Sequence, residues 1–213
     1  MLTRIGVTGG MGSGKSEVCK KISSFGVPVL SADLIANRLT DSDPAIKKKI
    51  TSLFGGESYS PATGMLRREY IAPLAFGNRE SLLALNAIVH PAVVKAVDEE
   101  IQTIEKKLQK GYIVVEAPVM FESGLNKNLD YVLAVVAGEA LRIERIRKRS
   151  SLTEEQIRLR MKNQLPADEV IEASDFVLYN DGSVEALHKK VNFFHSIFLT
   201  LQPRTKKNYG HPG

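Results

Sequence analysis

Eight consecutive residues carry the densest chemistry in this chain. Gly9-Gly10-Met11-Gly12-Ser13-Gly14-Lys15-Ser16 match G-x-x-x-x-G-K-[ST], the phosphate-binding loop pattern. An apolar run ends at Thr8 and an amphipathic pattern opens near Lys15, so the strand-before, helix-after context is present. Glycines let successive backbone N–H groups point into one concavity that binds oxyanions, and the helix that follows adds its positive N-terminal end. Lys15 would reach the β- and γ-phosphates, and the Ser16 hydroxyl would ligate Mg²⁺. The alternative, a turn that merely carries glycines, explains neither the Lys-Ser pair nor its spacing.

A phosphate loop serves switches, motors and kinases alike. N/T-K-x-D, which accompanies guanine, is approached by "NKNLD" at Asn126 to Asp130, but the acid falls one place late and the stretch reads as a loop. No D-x-x-G follows a strand candidate. A small-molecule kinase needs a carboxylate for the attacking hydroxyl and cations over the transferring phosphoryl group. Asp33 follows "VPVLSA" where a strand gives way to a helix, on the sheet edge where α/β proteins bind ligands. Asp33 or Ser31 equally suits a helix N-cap there. Glu116 ends the run "YIVVE" and is placed to contact Mg²⁺ through water, or to be a buried carboxylate held by backbone N–H groups. Arg145, Arg149, Arg158 and Arg160 are candidate covering cations, although a solvated helix face accounts for most such charges. His90 precedes Pro91 and reads first as structural. Asn180-Asp181-Gly182 reads first as a turn that could offer backbone groups to an adenine ring, and Cys19 as core.

These groups need a frame to hold them. Leu2 to Thr8, Val27 to Leu30, Tyr112 to Glu116, Tyr131 to Ala137 and Phe176 to Leu178 are short apolar runs without polar alternation, as expected of parallel strands covered on both faces. Helical stripes lie between them: Val18, Ile22 and Phe25; Val94, Val97, Ile101, Ile104 and Leu108; and Val184, Leu187, Val191, Phe194, Phe198 and Leu201. The alternation predicts an α/β fold, a doubly wound five-stranded parallel sheet. Its nucleotide-binding core would span residues 1–40 and 111–202, with a helical insertion over 41–110. A basic lid is expected over 142–166, where Thr153 and Gln156 can form a capping box, and a disordered tail over 203–213.

Composition narrows the function classes. The chain has 213 residues, 43% of them hydrophobic, enough for a full core. Its net charge of +5, with 29 Lys and Arg against 24 Asp and Glu, suits a small polyanion and is too modest and too scattered to argue for nucleic acid. One cysteine excludes an internal disulfide and a multi-cysteine metal site. No apolar run approaches about 20 residues and no leader precedes the first strand, so no membrane partner and a cytoplasmic location are expected.

Read in order, "TGGMGSGKS", "VPVLSADLIA", "LNAIVHP", "VVEAPVMFESGL", "RIERIRKR" and "SDFVLYNDGS" resemble the dephospho-CoA kinase family, within the P-loop nucleoside-monophosphate-kinase-like group. The resemblance runs from about Arg4 to about Leu201. It implies transfer of the ATP γ-phosphoryl group to the ribose 3′-hydroxyl of dephospho-CoA, with Mg²⁺ as cofactor. It implies Asp33 as the base and Lys15, Arg145 and Arg149 as further catalytic groups. ATP would be held by Gly9, Gly12, Ser13, Gly14, Lys15, Ser16, Glu17 and Asn180, and the acceptor by Asp33 together with Arg68 and His90 of the helical insertion. Ser16 and Glu116 would serve the metal. The chain departs from the family's usual pattern at Ser31, where Asp is common, at Glu17 for Thr, at Glu116 for Asp, and at Arg67, where an acid or amide usually precedes the Arg. Two rivals share the loop: a kinase for another small acceptor, and an ATP-driven switch that needs none.

Overall fold

A computed structural model describes residues 2–150 and 152–204. Among these, five strands form one all-parallel sheet in the order β2-β3-β1-β4-β5: β1 (Thr3–Thr8), β2 (Val29–Ser31), β3 (Tyr112–Glu116), β4 (Tyr131–Val136) and β5 (Phe176–Tyr179). The five apolar runs are therefore strands, β3 with the expected bounds and the others shifted by one or two residues at one or both ends. β1 is central, and its register sets Val7 beside Glu116 on one side and Leu133 on the other.

Successive residues of β3 face opposite layers, so an unbroken apolar run serves two cores. Ile113 and Val115 pack under the layer formed by α2 (Ala32–Ser42) and α5 (Arg79–Glu105), with Ile35, Val97 and Ile101. Tyr112 and Val114 face the layer of α1 (Lys15–Ser23) and α9 (Val184–Phe198), with Val18, Ile22, Leu187, Val191 and Phe198. Cys19 is buried in that second layer, as core. Each fully buried Ile or Leu contributes about 1.5–3 kcal/mol by transfer, which makes β1 and β3 the rigid platform for whatever follows their C-terminal ends. Three residues of the expected stripes fall outside them. Phe25 lies past the end of α1, stacked on His195, Leu108 lies exposed past α5, and Val184 is exposed at the first turn of α9.

Residues 41–110 supply α3 (Pro44–Phe54), α4 (Arg68–Phe76) and all of α5. Pro91 interrupts the α5 ladder beside His90, because it has no N–H for the carbonyl four residues earlier. Packing changes at the same point. Leu82, Leu85 and Ile88 join Ile46, Ile50 and Ile71 in a separate cluster, Val89 touches both cores, and Val93, Ala96, Val97 and Ile101 pack on the sheet. α5 is long and apolar enough to cross a membrane by length and composition alone, but its apolar residues are shared between these two cores.

After β4 come α6 (Glu139–Arg147), α7 (Glu154–Lys162) and α8 (Ala167–Glu172). Thr153 and Gln156 form a complete capping box at α7. Ile143, Ile146 and Ile157 make a small core of their own with Leu152 and Met161. Of the expected tail, Arg204 donates its backbone N–H to Asp130 at 2.9 Å, and residues 205–213 lie outside those described.

Candidate active site

The C-terminal ends of β1, β2 and β3 bring the phosphate loop, Asp33 and Glu116 into one neighbourhood, whereas Arg68 and His90 lie in the helical insertion. Gly9 leaves β1 with φ +141, where any Cβ would stand 2.1 Å from the carbonyl oxygen of Val135 on β4. Gly14 has φ +102 and meets Asn180 Nδ2 at 2.2 Å from its ideal Cβ position. Both need glycine twice over, for conformation and for space. Between them Ser13 N–H closes a turn onto Gly10 C=O at 3.1 Å.

Lys15 is only 8% exposed. Its ammonium donates to the carbonyls of Gly9 at 2.8 Å and Gly10 at 3.2 Å, folded back over the loop it belongs to. Burial lowers its pKa, while Glu116 and Asp33 pull it back up. The side-chain hydroxyl of Ser13 is buried without a hydrogen-bond partner among the described residues. Ser16 Oγ lies 3.3 Å from Glu116 Oε1, and Glu116 stands opposite Ser31 in the β2–β3 register. A hydroxyl and a carboxylate oxygen thus face one another beside the loop, the hard-donor pair that Mg²⁺ accepts.

The N-cap question at α2 has a geometric answer. Ser31 is the cap, its Oγ accepting from Leu34 N–H at 3.4 Å. Asp33 sits in the first helical turn with its carboxylate in no described hydrogen bond and open to solvent. Protein around it still removes enough water to raise its pKa, with Lys15 opposing. A more basic carboxylate close to the loop's lysine can hold or accept a proton there.

The four candidate arginines differ. Arg145 has a buried Nη1 without a partner among the described residues, whereas Arg149 is exposed and bonds back to the Arg145 carbonyl at 3.2 Å. Arg158 is engaged by Glu139 and Glu154, and Arg160 is exposed. Arg142, one turn before Arg145, was passed over by sequence reasoning. Its Nε donates to Met11 C=O at 2.9 Å. Its three-residue spacing from Arg145 puts the two on one side of α6, a periodicity that could have disclosed it.

Asn180 is buried, and its Nδ2 donates to Ser13 C=O at 2.8 Å, so its side chain supports the loop from below. Glu17 turns away toward α9, where its Oε1 meets His188 Nε2 at 2.9 Å. Arg68, at the start of α4, donates to Asn37 Oδ1 at 3.0 Å and pairs with Asp41 at 3.0 Å. His90 is half-buried; burial lowers its pKa, with Glu122 on the segment after β3 opposing.

Comparisons with known proteins show the family and the fold. The family profile described as dephospho-CoA kinase matches residues 3–186. A dephospho-CoA kinase of Chlorobaculum tepidum is 36% identical over 200 residues, covering 92% of this chain and 95% of the relative. One of Bacillus anthracis is 34% identical over 184 residues, covering 86% and 91%. Among solved structures, a Thermus thermophilus protein superposes with a TM-score of 0.76 at 33% identity, over 92% of this chain and 97% of the other. The dephospho-CoA kinase from Campylobacter jejuni gives 0.69 at 27%, over 93% and 98%.

Proposed function

This chain belongs to the dephospho-CoA kinase family, and from that premise we propose how its residues divide the work. The activity is transfer of the ATP γ-phosphoryl group to the 3′-hydroxyl of the dephospho-CoA ribose, giving CoA and ADP. The ribose oxygen bonds to the γ-phosphorus as the bond to the β–γ bridging oxygen breaks. The electron pair leaves on ADP, and Asp33 takes the hydroxyl proton.

One observation carries this assignment. Asp33, in no described hydrogen bond and with its pKa raised by the protein around it, stands close enough to the loop lysine to feel its charge, and the capping role that would explain the carboxylate away belongs to Ser31. The loop amides from Gly12 to Ser16 would hold the phosphates together with Gly9 and Glu17 of the motif, and Lys15 would exchange its two carbonyls for phosphate oxygens. Arg145, with its unpartnered Nη1, is the first choice for neutralising the transferring group, and Arg149 the second. Asn180 would act on ATP through the Ser13 carbonyl it holds, with its backbone near the adenine side. Ser16, and Glu116 through water, would hold Mg²⁺, which when bound spreads the negative charge of the β- and γ-phosphates. Residues 41–110 would form the acceptor side, with Arg68 and His90 as its contacts and the second half of α5 anchoring it to the sheet. Residues 142–166 would be the lid. A cytoplasmic location accords with substrates of this class.

The test is ADP release from Mg-ATP with and without dephospho-CoA, run beside Asp33→Asn. ADP formation should depend on dephospho-CoA, yield CoA by mass, and fall by at least 10²-fold in kcat for the variant with ATP affinity kept. ADP formation indifferent to dephospho-CoA would sink the assignment in favour of an ATP-driven switch. Equal loss of ATP affinity in Asp33→Asn would remove Asp33 from the chemistry.

A further inference from the structure

Met11, at the tip of the phosphate loop, is held by chain that arrives from more than 130 residues away. Its N–H donates to Oε1 of Gln164 at 2.9 Å, and its C=O accepts from Nε of Arg142 at 2.9 Å. Its side chain packs with Ile143, Ile146, Ile157, Leu152 and Met161, the small core of α6 and α7. The loop tip is therefore part of the lid's own interior.

The two gripping residues are the two feet of the lid. Arg142 lies in the first turn of α6, and Gln164 follows the last turn of α7, its N–H bonded to Met161 C=O at 3.2 Å. The second foot is tied down again one residue on, where Leu165 N–H donates to Glu122 at 3.1 Å. The Arg142 guanidinium lies against Gly10, where a Cβ would stand 2.3 Å from Nη2 and 2.6 Å from Cζ. Gly10 has no positive φ, so the missing side chain there serves the arginine and not the backbone. Gly12 is approached by the Arg142 carbonyl, 2.7 Å from its ideal Cβ position.

We propose that Gln164 and Arg142 are positioning residues that couple the lid to the phosphate loop, so that the loop keeps its anion-binding shape through the grip on Met11. The proposal rests on the reading of this loop as the ATP site. Neither residue needs to touch nucleotide. Removing the acceptor at Gln164 leaves the Met11 N–H without its partner and frees the tip to turn, while the rest of the loop stays held by Asn180 and the Gly10–Ser13 turn. By reciprocity, nucleotide in the loop must tighten the lid's feet by the same factor.

The experiment compares Gln164→Met, which keeps length without an acceptor, with Gln164→Glu, which keeps an oxygen at the same reach. A non-hydrolysable ATP analogue should bind Gln164→Met about tenfold more weakly, the scale of one lost hydrogen bond with an orphaned donor. The KM for ATP should rise in parallel, kcat at saturating ATP and the KM for dephospho-CoA should hold, and Gln164→Glu should recover most of the loss. Amide exchange on the wild-type protein gives a second arm. The analogue should slow exchange of the Met11 and Leu165 amides together, and Gln164→Met should abolish that joint response. Unchanged analogue affinity, a Gln164→Glu no better than Gln164→Met, or a uniform fall in kcat and both affinities with a lowered Tm would each overturn the coupling. Direct binding of the analogue needs no acceptor, so the reading of dephospho-CoA as substrate can fail while this inference stands, and the reverse.

Discussion

β1 has a charged neighbourhood at each end, and the two are arranged in opposite ways. At the start, the Arg4 guanidinium donates to Asp98 at 2.9 Å and pairs with Glu105 at 3.1 Å, and the Arg4 backbone N–H donates to Asp130 at 2.7 Å. Burial alone would lower the pKa of Arg4, but Glu105 and Asp98 outweigh it and raise it. At the far end, among the described residues, Lys15 is hydrogen-bonded to carbonyls alone and Asp33 is in no hydrogen bond, and burial moves both groups toward their neutral forms. Charges that hold the fold together are satisfied by the fold. Those at the loop are left incomplete, and phosphate and hydroxyl can complete them. A site so arranged costs stability.

Changing each end tests the contrast. Lys15→Ala should lower kcat/KM for the coupled reaction by about 10³-fold or more, the scale of a lost electrostatic contact to the transferring phosphate; a residual rate within tenfold of wild type would place the phosphates elsewhere. Arg4→Met should leave kcat unchanged while denaturant unfolding shows a loss of about 2 kcal/mol, since it leaves Asp98 and Glu105 half-buried without their cation. A loss of activity without a loss of stability would invert the comparison. The smallest effect concerns Asp33 itself. Its raised pKa means that the ionised carboxylate costs the folded state stability above that pKa, and that this cost is absent below about pH 4, where the group is protonated folded and unfolded alike. Asp33→Asn should therefore melt slightly above wild type at pH 7, with the gap closing as pH falls through the ordinary Asp range. A variant that melts lower at pH 7 would show a structural carboxylate instead.

How much was legible differed by kind of residue. The five strands, the phosphate loop and the capping box at Thr153 and Gln156 are local patterns, and each could be read from a window of a few residues. Asp33 could be located but not assigned, because a cap and a base occupy the same sequence position, and only the Ser31–Leu34 hydrogen bond separates them. The arginines of residues 142–166 were legible as a basic run, but their division into partnered Arg158, back-bonded Arg149 and Arg145, whose Nη1 has no partner among the described residues, was not. Arg142 and Gln164 carried no local signal of their grip on Met11.

The sequence by itself determined that strands alternate with helices, that oxyanion-binding glycines follow the first strand, and that a carboxylate stands at the end of the second. These follow from residue-level sterics and periodicity, which act over one turn or one strand. The tertiary structure alone decided the order β2-β3-β1-β4-β5, the division of α5 between two cores at Pro91, the turn of Glu17 toward His188, and the hold of Asn180, Arg142 and Gln164 on the loop. Apart from the change of core along α5, these are meetings between segments far apart in the chain. Such meetings depend on how whole layers pack rather than on any neighbour along the chain.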